Sequence, residues 1–105
     1  MKPTVVLQTD FGNGGGGVMA GVIRSVDPEV PVYDFDHFIE AFNTVAASAS
    51  LSGAVPYWPS GTVFVSVVDP GVGTERRSCV AKLDNGSYIV TPDNGTLTML
   101  KDMVT

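Results

Sequence analysis

Short β-branched runs alternate along this chain with stretches rich in alanine and glycine. Thr4-Val5-Val6-Leu7-Gln8-Thr9 predicts a buried strand. It breaks at Asp10-Phe11-Gly12, which Asn13 and four glycines, Gly14 to Gly17, follow. A helix is expected over residues 18–26, stopping near Asp27-Pro28. Residues 30–35 read as a second strand, and residues 42–55 as a second helix that ends before Pro56. Tyr57-Trp58-Pro59-Ser60-Gly61 makes the turn into a third strand, Thr62-Val63-Phe64-Val65-Ser66-Val67-Val68. Strand, helix, strand, helix, strand at short spacing is the pattern of a parallel sheet with right-handed crossovers.

The pattern then changes. Residues 80–83 and 88–91 flank Asp84-Asn85-Gly86-Ser87, and Asn-Gly predicts a hairpin with a type I′ turn. Pro92-Asp93-Asn94-Gly95 ends the last strand, and residues 96–103 could begin a helix. The expected fold is an α/β, three-layer α/β/α domain with a mostly parallel sheet plus a hairpin. The ending Lys101-Asp102-Met103-Val104-Thr105 has neither cap nor tail character and reads as a stop inside an element.

Composition narrows the class. A chain of 105 residues, 44% hydrophobic and 16% charged, is one small domain with a modest core. Its net charge of -5 argues against nucleic acid or an anionic membrane as partner. It mildly favours a cationic or neutral ligand, although solubility alone accounts for it. Cys79 is the single cysteine, so an intrachain disulfide and a cysteine-rich metal site are excluded, and a buried structural thiol is expected. The start lacks signal-peptide character and no apolar run reaches spanning length, so a cytoplasmic location is expected.

Candidate chemistry gathers at strand ends. Asp10 follows the first strand, Asp34 and Asp36 the second, and Asp69 the third. In a parallel sheet those ends face one crevice, where ligands bind. The glycine loop after Asp10 has the strand-turn-helix layout of a nucleotide site, but no Gly-Lys-[Ser/Thr] follows, so it is no P-loop. Asp10 suits ribose hydroxyls better than phosphate. A tightly packed or flexible loop is the plainer reading of the glycines.

Val67-Val68-Asp69-Pro70-Gly71-Val72-Gly73-Thr74-Glu75-Arg76-Arg77 is the densest segment. A carboxylate held by a guanidinium stays ionised and can fix a water molecule at one angle. Asp69 with Arg76 fits that role. A structural salt bridge pinning the loop fits it too, and spacing does not exclude Arg77 as the partner. His37, the sole histidine, reads as a hydrogen-bonded structural residue rather than a ligand or proton shuttle. Asp93 and Asn94 suit a helix cap, with the crevice as the other option.

These motifs, in this order, resemble the S-adenosylmethionine hydroxide adenosyltransferases, the group that also holds the fluorinating and chlorinating enzymes. The resemblance rests on Thr9-Asp10-Phe11-Gly12, Gly21-Val22-Ile23, residues 34–37, residues 64–77 and Pro92-Asp93-Asn94-Gly95. It implies hydrolysis of S-adenosylmethionine to adenosine and L-methionine. It also implies Asp69 and Arg76 as water-organising residues, with Asp10, Phe11, Phe42 and Asn94 binding substrate. No metal and no cofactor are implied, because S-adenosylmethionine is itself the substrate. The family's third water-organising residue, a histidine, lies beyond Thr105, and His37 matches a different family histidine. The resemblance further implies that residues 1–105 are part of an N-terminal α/β domain, followed in the family by a C-terminal β-barrel domain, and that the intact protein is a homotrimer. The isolated chain is then expected to be inactive. Asp69 favours water over halide, since a carboxylate repels an anion at the same position. A non-catalytic module binding the nucleoside or S-adenosylmethionine is the alternative, and a halogenase a lesser one.

Overall fold

β1 (Val5–Thr9) is flanked on both edges, by β2 (Val32–Asp36) and β3 (Val63–Val67), and pairs with each in parallel. β4 (Ser78–Lys82) and β5 (Tyr88–Pro92) complete a five-stranded sheet of order β2-β1-β3-β5-β4. β3 pairs in parallel with β5, and β4 runs antiparallel to it. The molecule is seen in a computed structural model that describes residues 3–12, 14–40, 43–68 and 78–92. All five residues of β1 are buried, which explains why its sequence shows no polar alternation.

α1 (Gly15–Val26) joins β1 to β2, and α2 (Thr44–Ala54) joins β2 to β3. The first crossover steps away from β1 and the second steps back across it. Right-handed crossovers in opposite directions put the two helices on opposite faces. This is the expected three-layer arrangement. Leu51 of α2 and Val55 pack on Val6, Phe64 and Ile89 of the sheet and on Leu83 to form the main core. Trp58 closes its edge, with its ring perpendicular to Phe64 at 6.4 Å and tilted against Tyr33 at 6.0 Å. Val18, Val22 and Val26 leave an exposed apolar stripe along α1.

Several boundaries differ from the sequence expectation. α1 begins three residues early, so Gly15, Gly16 and Gly17 are helical rather than loop. Gly14, at φ 90°, supplies the left-handed residue that turns the chain into it, and its carbonyl accepts from the Val18 N–H at 3.2 Å. α2 begins at Thr44 because Asn43 caps it, accepting the Ala46 N–H at 2.9 Å. Asp34 lies inside β2 rather than after it. Cys79 is half-buried, not fully enclosed.

The β4–β5 hairpin forms as expected, but not with a two-residue turn. The Gly86 N–H donates to the Leu83 carbonyl at 2.9 Å, and the Leu83 N–H to the Ser87 carbonyl at 2.8 Å. The loop is thus Asp84-Asn85-Gly86, with Gly86 at φ 87° as its left-handed residue. Asn85 Oδ1 accepts from the Ser87 N–H at 3.0 Å, which favours this wider loop over the type I′ turn. No helix among the described residues is long and apolar enough to cross a membrane.

Candidate functional site

The carboxyl end of β1 is organised by a chain of hydrogen bonds. Thr9 Oγ1 lies 2.7 Å from His37 Nδ1, and His37 Nε2 lies 2.8 Å from Asp34 Oδ1. The Phe11 N–H donates to Thr9 Oγ1 at 3.1 Å, and the Gly12 N–H donates to the His37 carbonyl at 2.7 Å. Thr9 is fully buried and His37 nearly so, while the Asp34 side chain is 62% exposed. His37 is therefore the hydrogen-bonded residue the sequence suggested. Its partners come from β1 and β2 together.

Strand register explains the contact. Leu7 pairs with Asp34 but Gln8 pairs with Asp36, so β2 carries one extra residue, Phe35, at this point. The irregularity advances β2 against β1 and brings His37 level with Thr9. Asp36, the last residue of β2, accepts the Phe38 N–H at 2.7 Å and turns the chain away from the sheet.

Behind this layer a buried polar pair joins β1 to β3. Ser66 Oγ donates to Gln8 Oε1 at 2.6 Å, and Gln8 Nε2 donates to the Ala47 carbonyl of α2 at 3.2 Å. Nothing in the sequence reading pointed to Gln8 or Ser66. Their signal was two polar residues breaking otherwise apolar strands.

Asp10 sits directly after β1 and is half-buried, and Phe11 beside it is 45% exposed. Thr9 pairs with Val67, so β1 and β3 end at the same level. The sheet order reverses between these two strands, and that switch point is where open α/β sheets bind ligands. On the other side of β1 a cleft of about 360 Å³ opens between the start of α1 and the end of β2. Gly12, Gly14, Gly17 and the segment Asp34 to Phe38 line it, so Asp34 and Asp36 share one rim. Asp10 does not line it. Among the described residues no three His, Cys, Asp or Glu side chains converge on a possible metal. Phe42, Asp69, Arg76, Arg77, Asp93 and Asn94 lie outside the described residues.

A central parallel strand that opens through a glycine-rich turn into a helix, with crossovers on both faces, defines a doubly wound α/β domain. Within that class the chain belongs to the SAM hydroxide adenosyltransferase N-terminal domain family, whose model matches residues 5–104.

The chain is 36% identical over 104 residues to an (R)-S-adenosyl-L-methionine hydrolase of Methanocaldococcus jannaschii, covering 93% of this chain and 39% of that protein. A fluorinase of Actinopolyspora mzabensis is more distant, 26% identical over 121 residues that cover 92% of this chain and 40% of that one. The crystal structure of an uncharacterized conserved protein from Thermotoga maritima superposes with a TM-score of 0.89 at 39% identity, over 97% of this chain and 41% of that chain. The chain thus spans about two-fifths of the length of the relatives it matches.

Proposed function

We propose that the protein containing this chain hydrolyses S-adenosyl-L-methionine to adenosine and L-methionine. The observation that carries the reading is the similarity to a hydrolase at 36% identity, against 26% for a fluorinase, across nearly the whole chain. In the reaction a water oxygen attacks the ribose C5′, the C5′–sulfur bond breaks, and methionine leaves with the bonding electron pair. The water gives up one proton, which passes to solvent and carries off the positive charge the sulfonium loses. A sulfonium needs no protonation to leave, so the work consists of aligning water and excluding bulk solvent.

Asp69 and Arg76 are the residues assigned to hold the water. Asp10 is assigned to the ribose hydroxyls, with Phe11, Phe42 and Asn94 about the nucleoside. The levelled ends of β1 and β3 at the switch point support a shared site for Asp10 and the segment after Val68. No cofactor enters the reaction.

The proposal extends to a C-terminal β-barrel domain, a homotrimer with sites between subunits, and a cytoplasmic setting. The exposed Val18-Val22-Val26 stripe and the greater length of the relatives support a larger assembly. Residues 1–105 alone are then inactive.

A second reading, a nucleoside-binding module without turnover, is favoured by the start of α1. That terminus has neither a side-chain cap nor an acidic residue in its first turn to contact the methionine ammonium. Product release by the unsubstituted protein separates the two readings, and Asp69→Asn then tests the water-holding assignment. In the hydrolase it removes most turnover and leaves adenosine binding measurable by calorimetry. In the binding module the unsubstituted protein binds adenosine and releases no product. Added chloride or fluoride is expected to yield no 5′-halo-adenosine.

A further inference from the structure

Thr9, His37 and Asp34 form a relay whose hydrogen-bond directions can be fixed one by one. A carboxylate oxygen accepts, so the 2.8 Å contact to Asp34 requires the proton on His37 Nε2. An Nδ1 that carries no proton then accepts, and the Thr9 hydroxyl donates to it across 2.7 Å. With its proton committed, Thr9 Oγ1 accepts the Phe11 N–H at 3.1 Å. The opposite arrangement, Nδ1–H donating to Thr9, would leave the hydroxyl proton of a fully buried residue without a partner among the described residues.

The Thr9–Phe11 bond closes a small ring whose middle residue is Asp10. Such a turn, made by a hydroxyl and the N–H two residues on, fixes the backbone of the residue it encloses. The Gly12 N–H bond to the His37 carbonyl anchors the far side of the same turn at 2.7 Å. Asp10 is thus clamped from both sides by groups that His37 orients.

We propose that Thr9, His37 and Asp34 are positioning residues, which hold the Asp10 backbone so that its carboxylate meets the ribose of a bound nucleoside. The inference rests on the nucleoside reading given above. None of the three touches the reacting atoms. Their effect falls on nucleoside affinity rather than on the displacement step, because Asp10 contacts the ribose alike in ground and transition states.

The full-length protein tests this in two independent ways. Nitrogen-15 spectra of the unsubstituted protein should show His37 protonated on Nε2 alone. A ring protonated on Nδ1, or on both nitrogens, overturns the relay. Thr9→Val should speed exchange of the Phe11 amide and weaken adenosine binding, each about tenfold, the size expected for one lost buried hydrogen bond. The Michaelis constant should rise with little change in kcat. Thr9→Ser keeps the hydroxyl and should recover most of the affinity. Thr9→Val binding adenosine as tightly as the unsubstituted protein contradicts the inference, as does equal loss in Thr9→Ser and Thr9→Val. Should the unsubstituted protein bind no adenosine, the nucleoside reading fails instead, and the His37 spectrum still decides the relay.

Discussion

Ser66 and Gln8, 58 positions apart in the chain, share a buried 2.6 Å hydrogen bond that ties β3 to β1. Gln8 also reaches the Ala47 carbonyl, so one side chain joins two strands and a helix directly behind Asp10. Each buried polar atom in this group depends on the others. Gln8→Leu keeps most of the volume but leaves the Ser66 hydroxyl unpaired, at a cost of about 1–3 kcal/mol. Adding Ser66→Ala should recover part of that loss, since the orphaned hydroxyl goes with it. Urea unfolding of the four proteins in the cycle measures this. Strictly additive losses would show that the pair carries no coupling.

Thr91 presents the opposite situation. Its hydroxyl is buried on β5 and has no hydrogen-bond partner among the described residues. Thr91→Val keeps the shape and the β-branching while removing the unsatisfied group. We expect stability to be unchanged or to rise by up to about 1 kcal/mol. A fall in melting temperature would mean that an ordered water or another group satisfies the hydroxyl.

Gly86 combines two constraints in the hairpin loop. Its φ is 87°, and a methyl group on it would overlap Ser60 Oγ. Gly86→Ala should therefore destabilise by about 1–3 kcal/mol. Ser60→Ala in the same chain relieves the overlap but not the backbone strain, so it should restore only part of the loss. Full restoration in thermal melts would show that the positive φ costs nothing here.

Much of this architecture was legible because a parallel strand buried on both faces must be apolar, as Val5-Val6-Leu7 is, and Val63-Phe64-Val65, buried on one face and half-buried on the other, is apolar too. The crossovers followed from element order, and Asn85-Gly86 marked the hairpin. The turn type was not legible, since it depends on where Asn85 Oδ1 finds a donor. Nor was the helical state of Gly15 to Gly17, which intrinsic propensity opposes and the surrounding chain imposes. At the site, Asp10 at the end of β1 was readable from strand-end logic. The Thr9–His37 contact was not. It arises from the register shift between Leu7 and Gln8, and no sequence period encodes a one-residue slip between strands 28 positions apart.

The most direct test of the account is to incubate the full-length protein with S-adenosyl-L-methionine in water enriched in oxygen-18, and to separate the products by chromatography with mass detection. Water attack at C5′ predicts adenosine and methionine in equal amounts, with the heavy oxygen in the adenosine 5′-hydroxyl. Release of no adenosine, or of adenosine without the label, would contradict it.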